Sequence, residues 1–303
     1  MSDHPMQGLY VPALTAVDRD SNPDVARWIE HCRWLLAEGA HGLCPFGTTS
    51  EANSFSIDER TDMLTQLVEA GVGPANLMPG TGCSALTDTV RLTRHALDLG
   101  CGGVLMLPPF YYKAVTDEGL FRSFAEVIER VGDDRLRIYL YHIPPVAQVG
   151  FSLNLIERLI TAYPKTVVGL KDSSGDWNNL KAILNAFPGF GAFTGSEKLL
   201  LDSLRLGGAG SINAVANVIP GPVARLCDTW QGDDAEAQQA KITAFRETFA
   251  DYAPVPALKQ IVAYLRNDPE WGHVRPPFLP LGEAEAAKIV AKIEQYGLMK
   301  TPA

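Results

Sequence analysis

Thr166-Val167-Val168-Gly169-Leu170-Lys171-Asp172-Ser173-Ser174-Gly175 joins an apolar run to a lysine and then to a polar turn closed by glycine. The β-branched residues and leucine read as a buried strand of a parallel sheet, where both faces are covered and apolar–polar alternation disappears. A lysine ending such a strand stands where the dry interior meets a loop. An ammonium is poorly solvated there, and a free amine at a pocket mouth can attack a carbonyl to form a Schiff base. Taken alone, the same run is more often a strand followed by a surface lysine. The rest of the chain decides between the two.

Outward from this stretch, short apolar runs alternate with longer amphipathic ones. Strands are expected at Gly8 to Thr15, Gly42 to Phe46, Leu77 to Gly80, Val104 to Leu107, Arg137 to Ile143, the lysine stretch, Gly191 to Thr194 and Gly210 to Ala216. Each leads into a helical pattern. Asn22-Pro23 reads as a cap and first-turn proline for a helix to Glu38, and Ser56 with Glu59 as a capping box. Glu38-Gly39, Leu99-Gly100 and Leu206-Gly207 share one grammar: a helix stopped by glycine, a tight loop, then a strand. Eight strand–helix units imply a parallel sheet closed into a (β/α)8 TIM barrel. An open doubly wound sheet is the rival, but no G-x-G-x-x-G follows the first strand. The barrel is assigned to residues 1–230. Residues 231–303 form a C-terminal helical extension, broken near Pro254 and Pro256, packed on the barrel and not independent.

The 303 residues are 46% hydrophobic and 20% charged, as in a soluble protein with a large core. A net charge of −9 argues against nucleic acid and anionic membranes as partners. Met1 to Gly8 has neither a basic segment nor an apolar run, and no stretch approaches a membrane span. Five scattered cysteines without a C-x-x-C pair suit packed thiols in a reducing cytoplasm. The six histidines are dispersed with no two at i, i+4, so no metal site is expected.

In a barrel the active site lies at the C-terminal strand ends. Those ends read Gly47-Thr48-Thr49-Ser50-Glu51, Pro109-Phe110-Tyr111-Tyr112, Tyr141-His142-Ile143-Pro144, Lys171-Asp172-Ser173, Gly195-Ser196-Glu197 and Ser211-Ile212-Asn213. Backbone N–H groups at Gly47, Thr48 and Thr49, with two hydroxyls, make a small cradle suited to a carboxylate. Tyr141 can shuttle protons beside the amine. A cradle, an amine and a phenol on one barrel suit an α-keto acid.

At these residues the sequence resembles the dihydrodipicolinate synthase/N-acetylneuraminate lyase family of class I, pyruvate-handling aldolases. The Gly-Thr-Thr-x-Glu turn, the Tyr-x-Ile-Pro segment and the Gly-x-Lys strand stand in the family's order. The resemblance implies a TIM barrel, a homotetramer built as a dimer of dimers, and no cofactor beyond a covalent lysine imine. It implies Lys171 as the imine former, Tyr141 as acid/base, and Thr48 and Thr49 as carboxylate ligands, with Thr48 as relay hydroxyl. Tyr111, or Tyr112 beside it, would be lent across the dimer interface. Ile212 and Ser211 would lie near the pyruvoyl group.

Two departures bear on the substrate. Ser50 stands where the turn usually has glycine, and Val146 stands where the synthases carry an arginine for the second substrate's carboxylate. The expectation is a Schiff-base lyase acting on pyruvate or a 2-keto-3-deoxy acid, with His142 and Gln148 near the substrate's hydroxyls. The alternatives are 4-hydroxy-tetrahydrodipicolinate synthesis from pyruvate and aspartate semialdehyde, dehydration of a 2-keto-3-deoxy sugar acid, and a barrel that only binds a small acid.

Overall fold

The computed structural model describes residues 6–296; the start of the Met1 to Gly8 stretch and the end of the 231–303 region lie outside the described residues. The strands are β1 (Gly8–Val11), β2 (Gly42–Leu43), β3 (Val104–Met106), β4 (Ile138–His142), β5 (Val167–Asp172), β6 (Gly191–Thr194) and β7 (Gly210–Ser211). They pair in the order β2-β1-β7-β6-β5-β4-β3, all in parallel. The 77–80 stretch joins the two edges through parallel bridges from Leu43 to Leu77 and from Gly80 to Leu105. The sheet therefore closes as the barrel the sequence implies, with 77–80 as its eighth stave. That stave is irregular because Pro79 has no N–H for a ladder; its carbonyl accepts from Leu105 at 3.0 Å.

Closure restores an alternation that the sequence hides. Tyr10, Cys44, Met78, Leu105, Tyr139, Tyr141, Phe193 and Ile212 pack together inside the barrel. Leu9, Val11, Val104, Ile138, Leu140, Leu170 and Ala192 belong to the core between strands and helices. Glycine makes room for the large inner rings. A Cβ on Gly42 would come within 2.3 Å of the Tyr10 ring, and one on Gly169 within 2.5 Å of Tyr139.

The surrounding helices are α1 (Val25–Ala37), α2 (Ile57–Glu69), α3 (Leu86–Asp98), α4 (Asp117–Val131), a short α5 (Pro144–Ala147), α6 (Leu153–Ala162), α7 (Trp177–Ala186), α8 (Leu200–Arg205) and α9 (Pro220–Thr229). The Ser56–Glu59 capping box is formed, and Gly39, Gly100 and Gly207 end their helices at φ of 104°, 81° and 86°. Several boundaries differ from the sequence reading: β2 ends at Leu43, short of Phe46, and three further differences have a visible cause. β1 stops before Pro12, and the Leu14 N–H goes instead to Asn217 Oδ1 at 2.8 Å. β7 stops at Ser211 because Asn213 Oδ1 takes the Ala216 N–H at 3.0 Å and starts a helical turn. α1 is capped by Asp24, which leaves Pro23 outside it.

Beyond the barrel lie α10 (Ala235–Glu247), α11 (Pro254–Arg266) and α12 (Glu283–Gln295). The chain breaks before Pro254, which presets the first turn of α11. Along α11, Val255, Leu258, Ile261, Val262 and Leu265 are buried, and so is Lys259. No helix among the described residues is long and apolar enough to cross a membrane.

Candidate active site

Lys171 is 4% exposed. Its Nζ donates to Tyr141 Oη at 3.2 Å and lies 4.3 Å from the centroid of that ring. Tyr141 Oη in turn lies 3.2 Å from Thr48 Oγ1. Between the phenol and the Thr48 hydroxyl either oxygen can donate. Amine, phenol and hydroxyl thus form one line of hydrogen bonds across three staves of the barrel.

A local irregularity creates this line. Ile138 pairs with Val167, but Tyr139 pairs with Gly169, leaving Val168 as the extra residue of a bulge. Thereafter the ladder is regular and sets Tyr141 opposite Lys171. Without the extra residue Lys171 would oppose His142 and face the helices, because a one-residue slip exchanges the two sides of a sheet. A continuous apolar run carries no alternation from which to read such a bulge. On the far side of β5, Lys171 pairs with Phe193, which belongs to the apolar interior.

The turn after β2 brings Thr48 to this place. Phe46 adopts φ of 61°, a strained conformation for a bulky residue. Its ring packs against Trp28 at 5.6 Å between centroids, with the Arg60 guanidinium 5.9 Å away. The backbone then doubles back: Ser50 and Ala52 donate to the Gly47 carbonyl, both at 3.2 Å, and Glu51 to that of Thr48 at 3.1 Å. Among the described residues, the N–H groups of Gly47, Thr48 and Thr49 find no partner. Three successive free donors are what an anion cradle requires. A Cβ on Gly47 would meet nothing within 4 Å, so the turn opens onto free space there.

The other expected residues are placed differently. Ser211 is buried and its hydroxyl is committed, donating to the Thr194 carbonyl at 3.1 Å and accepting from Asn213 at 2.8 Å. Ile212 is fully buried in the inner cluster and its N–H donates to Thr194 at 2.9 Å. Tyr111 and Tyr112 are 71% and 75% exposed and meet edge to face, 5.2 Å between centroids. Phe110 alone of that loop's aromatics packs on the inner cluster. His142 corrects an expectation: it faces the helices, where its Nδ1 accepts the Phe151 N–H at 3.0 Å. Burial holds its pKa below the ordinary histidine value, while Asp172 opposite opposes that shift. One neighbour escaped the sequence reading. Cys44, fully buried in the interior, has its thiol pushed up to about 12 by burial, with the Lys171 charge working against the shift. Among the described residues, no group of three or more histidine, cysteine or acidic side chains could hold a metal ion.

The model of the dihydrodipicolinate synthetase family matches residues 5–296. A protein of Chloroflexus aurantiacus named "Uncharacterized DapA-like lyase" is 35% identical over 298 residues, 98% of this chain and 99% of its own. The 4-hydroxy-tetrahydrodipicolinate synthase of Thermus thermophilus is 35% identical over 271 residues, 88% of each chain. Among solved structures, dihydrodipicolinate synthase from Agrobacterium tumefaciens aligns with a TM-score of 0.89 at 30% identity, over 95% of this chain and 99% of that one. These matches run over nearly the whole chain and agree with the barrel described above: the chain belongs to the dihydrodipicolinate synthetase family and is a lyase.

Proposed function

We propose that the protein forms an imine between Lys171 and the C2 carbonyl of pyruvate, or of the pyruvoyl part of a 2-keto-3-deoxy acid. The observation that carries this reading is the line from Lys171 Nζ through Tyr141 Oη to Thr48 Oγ1, each step 3.2 Å. The substrate carboxylate docks on the free N–H groups of residues 47–49, with the Thr48 and Thr49 hydroxyls beside them. The amine attacks C2, and Tyr141 passes a proton to the departing hydroxyl so that water leaves and the imine forms. The imine then accepts the electron pair released when the C3–C4 bond breaks, the C4 hydroxyl giving up its proton to leave a carbonyl. In a dehydration it accepts the pair of the C3–H bond, and the enamine so formed expels the C4 hydroxyl, which leaves as water with a proton passed by Tyr141. Protons move through Tyr141 and Thr48, and no cofactor besides the lysine imine is invoked.

Exposure of the paired rings of Tyr111 and Tyr112 supports a homo-oligomer in which this loop covers a neighbouring subunit's site. The family's dimer of dimers is the assembly proposed. Free cysteines, four of them buried, suit a reducing cytoplasmic setting. The region from residue 231 on is taken as part of the same folding unit, because α11 buries Lys259 against Glu51 beside the Thr48 turn.

The Thermus relative's name favours a second reading, condensation of pyruvate with aspartate semialdehyde. Against it, Val146 is 61% exposed and carries no charge. The nearby Lys113 directs donors to the Phe110 and Ala147 carbonyls, at 2.5 and 2.9 Å. A panel of 2-keto-3-deoxy acids assayed for pyruvate release, beside pyruvate with aspartate semialdehyde, separates the readings. Pyruvate release from a keto-deoxy acid as the faster reaction is expected. Faster condensation with aspartate semialdehyde would replace the first reading by the second.

A further inference from the structure

Glu51 closes the turn that carries Thr48 and Thr49, and its side chain runs away from the site into the C-terminal region. Its carboxylate meets Lys259 Nζ at 2.5 Å, with both side chains fully buried. The other carboxylate oxygen accepts the Arg275 N–H at 3.0 Å, and Lys259 also donates to the His273 carbonyl at 2.9 Å. Arg275 extends the grip, reaching the Ser54 carbonyl at 2.6 Å, the Ser21 carbonyl at 2.7 Å and the Glu59 carboxylate. Glu51 itself holds φ of 57°, a conformation kept where the surroundings fix it. On the barrel side, the Thr15 hydroxyl donates to the Ser50 carbonyl at 2.8 Å.

A buried ion pair gives little net stability, because taking two charges out of water offsets their attraction. Its effect is greatest on geometry, and the geometry next to this pair is that of the proposed site. We propose that Lys259, acting through Glu51, is a positioning residue for the Thr48–Thr49 turn. The pair keeps Thr48 within hydrogen-bond reach of Tyr141 and holds the three free N–H groups together. The C-terminal region thereby completes the site from behind without touching substrate. This inference rests on the imine reading above.

The test is the Glu51→Gln/Lys259→Met double variant of the full chain. It removes both charges, leaves an oxygen at position 51 for the Arg275 N–H, and nearly conserves volume. The readouts are the thermal midpoint and the pyruvate dependence of borohydride trapping at Lys171. The expected result is a midpoint close to the wild type's, a maximal trapping rate lowered about tenfold or more, and a raised half-saturating pyruvate concentration, as for a catalytic group displaced by less than its own length. A folded double variant that traps within about twofold of the wild-type rate overturns the inference while leaving the imine reading intact. Absence of any adduct in the wild type overturns the imine reading, and this inference with it. If the double variant does not fold, Glu51→Asp keeps the charge and shortens the reach by one methylene. Slower trapping with a wild-type midpoint then supports the inference, and an unchanged rate overturns it.

Discussion

Lys171 and Lys259 are both withdrawn from water, at 4% and 0% exposure, yet they keep opposite company. Lys259 meets a carboxylate at 2.5 Å and a backbone carbonyl at 2.9 Å. Burial pushes its pKa below the ordinary lysine value, and Glu51 works against that shift by favouring the ammonium. Lys171 meets a phenol at 3.2 Å and lies over its ring. A phenol oxygen both accepts and donates, so it can take a hydrogen bond from the amine and pass a proton on, whereas a carboxylate only accepts. The same residue type thus serves as a strut at the back of the barrel and as a candidate nucleophile at its mouth. Burial alone does not distinguish the roles; the partner does.

The contrast sets an order of expected effects. Lys171→Ala should abolish adduct formation and lower turnover on the order of 10⁴-fold or more, with thermal stability retained. Retention of substantial turnover would erase the distinction between the two lysines. Lys259→Met alone should leave Glu51 buried without its cation and cost about 3–5 kcal/mol in denaturant unfolding. A cost near zero would mean that the pair is not formed in solution. Tyr141→Phe should fold normally and slow imine formation about 10²-fold, through loss of the proton relay. An unchanged rate would move the acid/base role elsewhere.

A separate effect, on stability alone, concerns the C-terminal junction under acid. His31 is fully buried, with Nε2 bonded to Asn217 Oδ1 at 3.1 Å and Nδ1 facing the Arg266 guanidinium at 3.1 Å. Burial, helped by Arg266, pushes its pKa down from 6.5 to about 3. The folded state then binds fewer protons than the unfolded chain below pH 6.5. This contribution to stability is whole above that value and falls by about 1.4 kcal/mol per pH unit until the folded pKa is reached. Unfolding free energies measured from pH 7 to 4 should show this slope in the wild type and a shallower one in His31→Gln. Equal slopes would place the acid sensitivity in other groups.

Much of the barrel was legible because its signals are local. A glycine in the left-handed region ends each of three helices, and a proline starts α11. The 77–80 stave was legible as a position but not as an irregular one, since Pro79 weakens a pairing that only closure of the sheet defines. Tyr141, Lys171 and Thr48 stood out as polar residues at strand ends. What brings them together did not: the Val168 bulge leaves no mark in a run of apolar residues. The Glu51–Lys259 pair was equally silent, because its members lie in turn two and in the C-terminal region, and no periodicity links them. Strand lengths were overestimated at β1 and β7 for a related reason. Side chains of Asn217 and Asn213, distant or out of pattern, took the backbone N–H groups that a longer ladder would have used.

The central claim is that Lys171 carries the covalent chemistry, and one measurement meets it directly. The protein is incubated with saturating pyruvate, reduced with borohydride and digested, and the peptide containing Lys171 is weighed beside that of Lys171→Ala. A reduced pyruvyl adduct on Lys171, absent from the variant, is the predicted result. Unmodified Lys171 in folded, pyruvate-saturated protein would contradict the account.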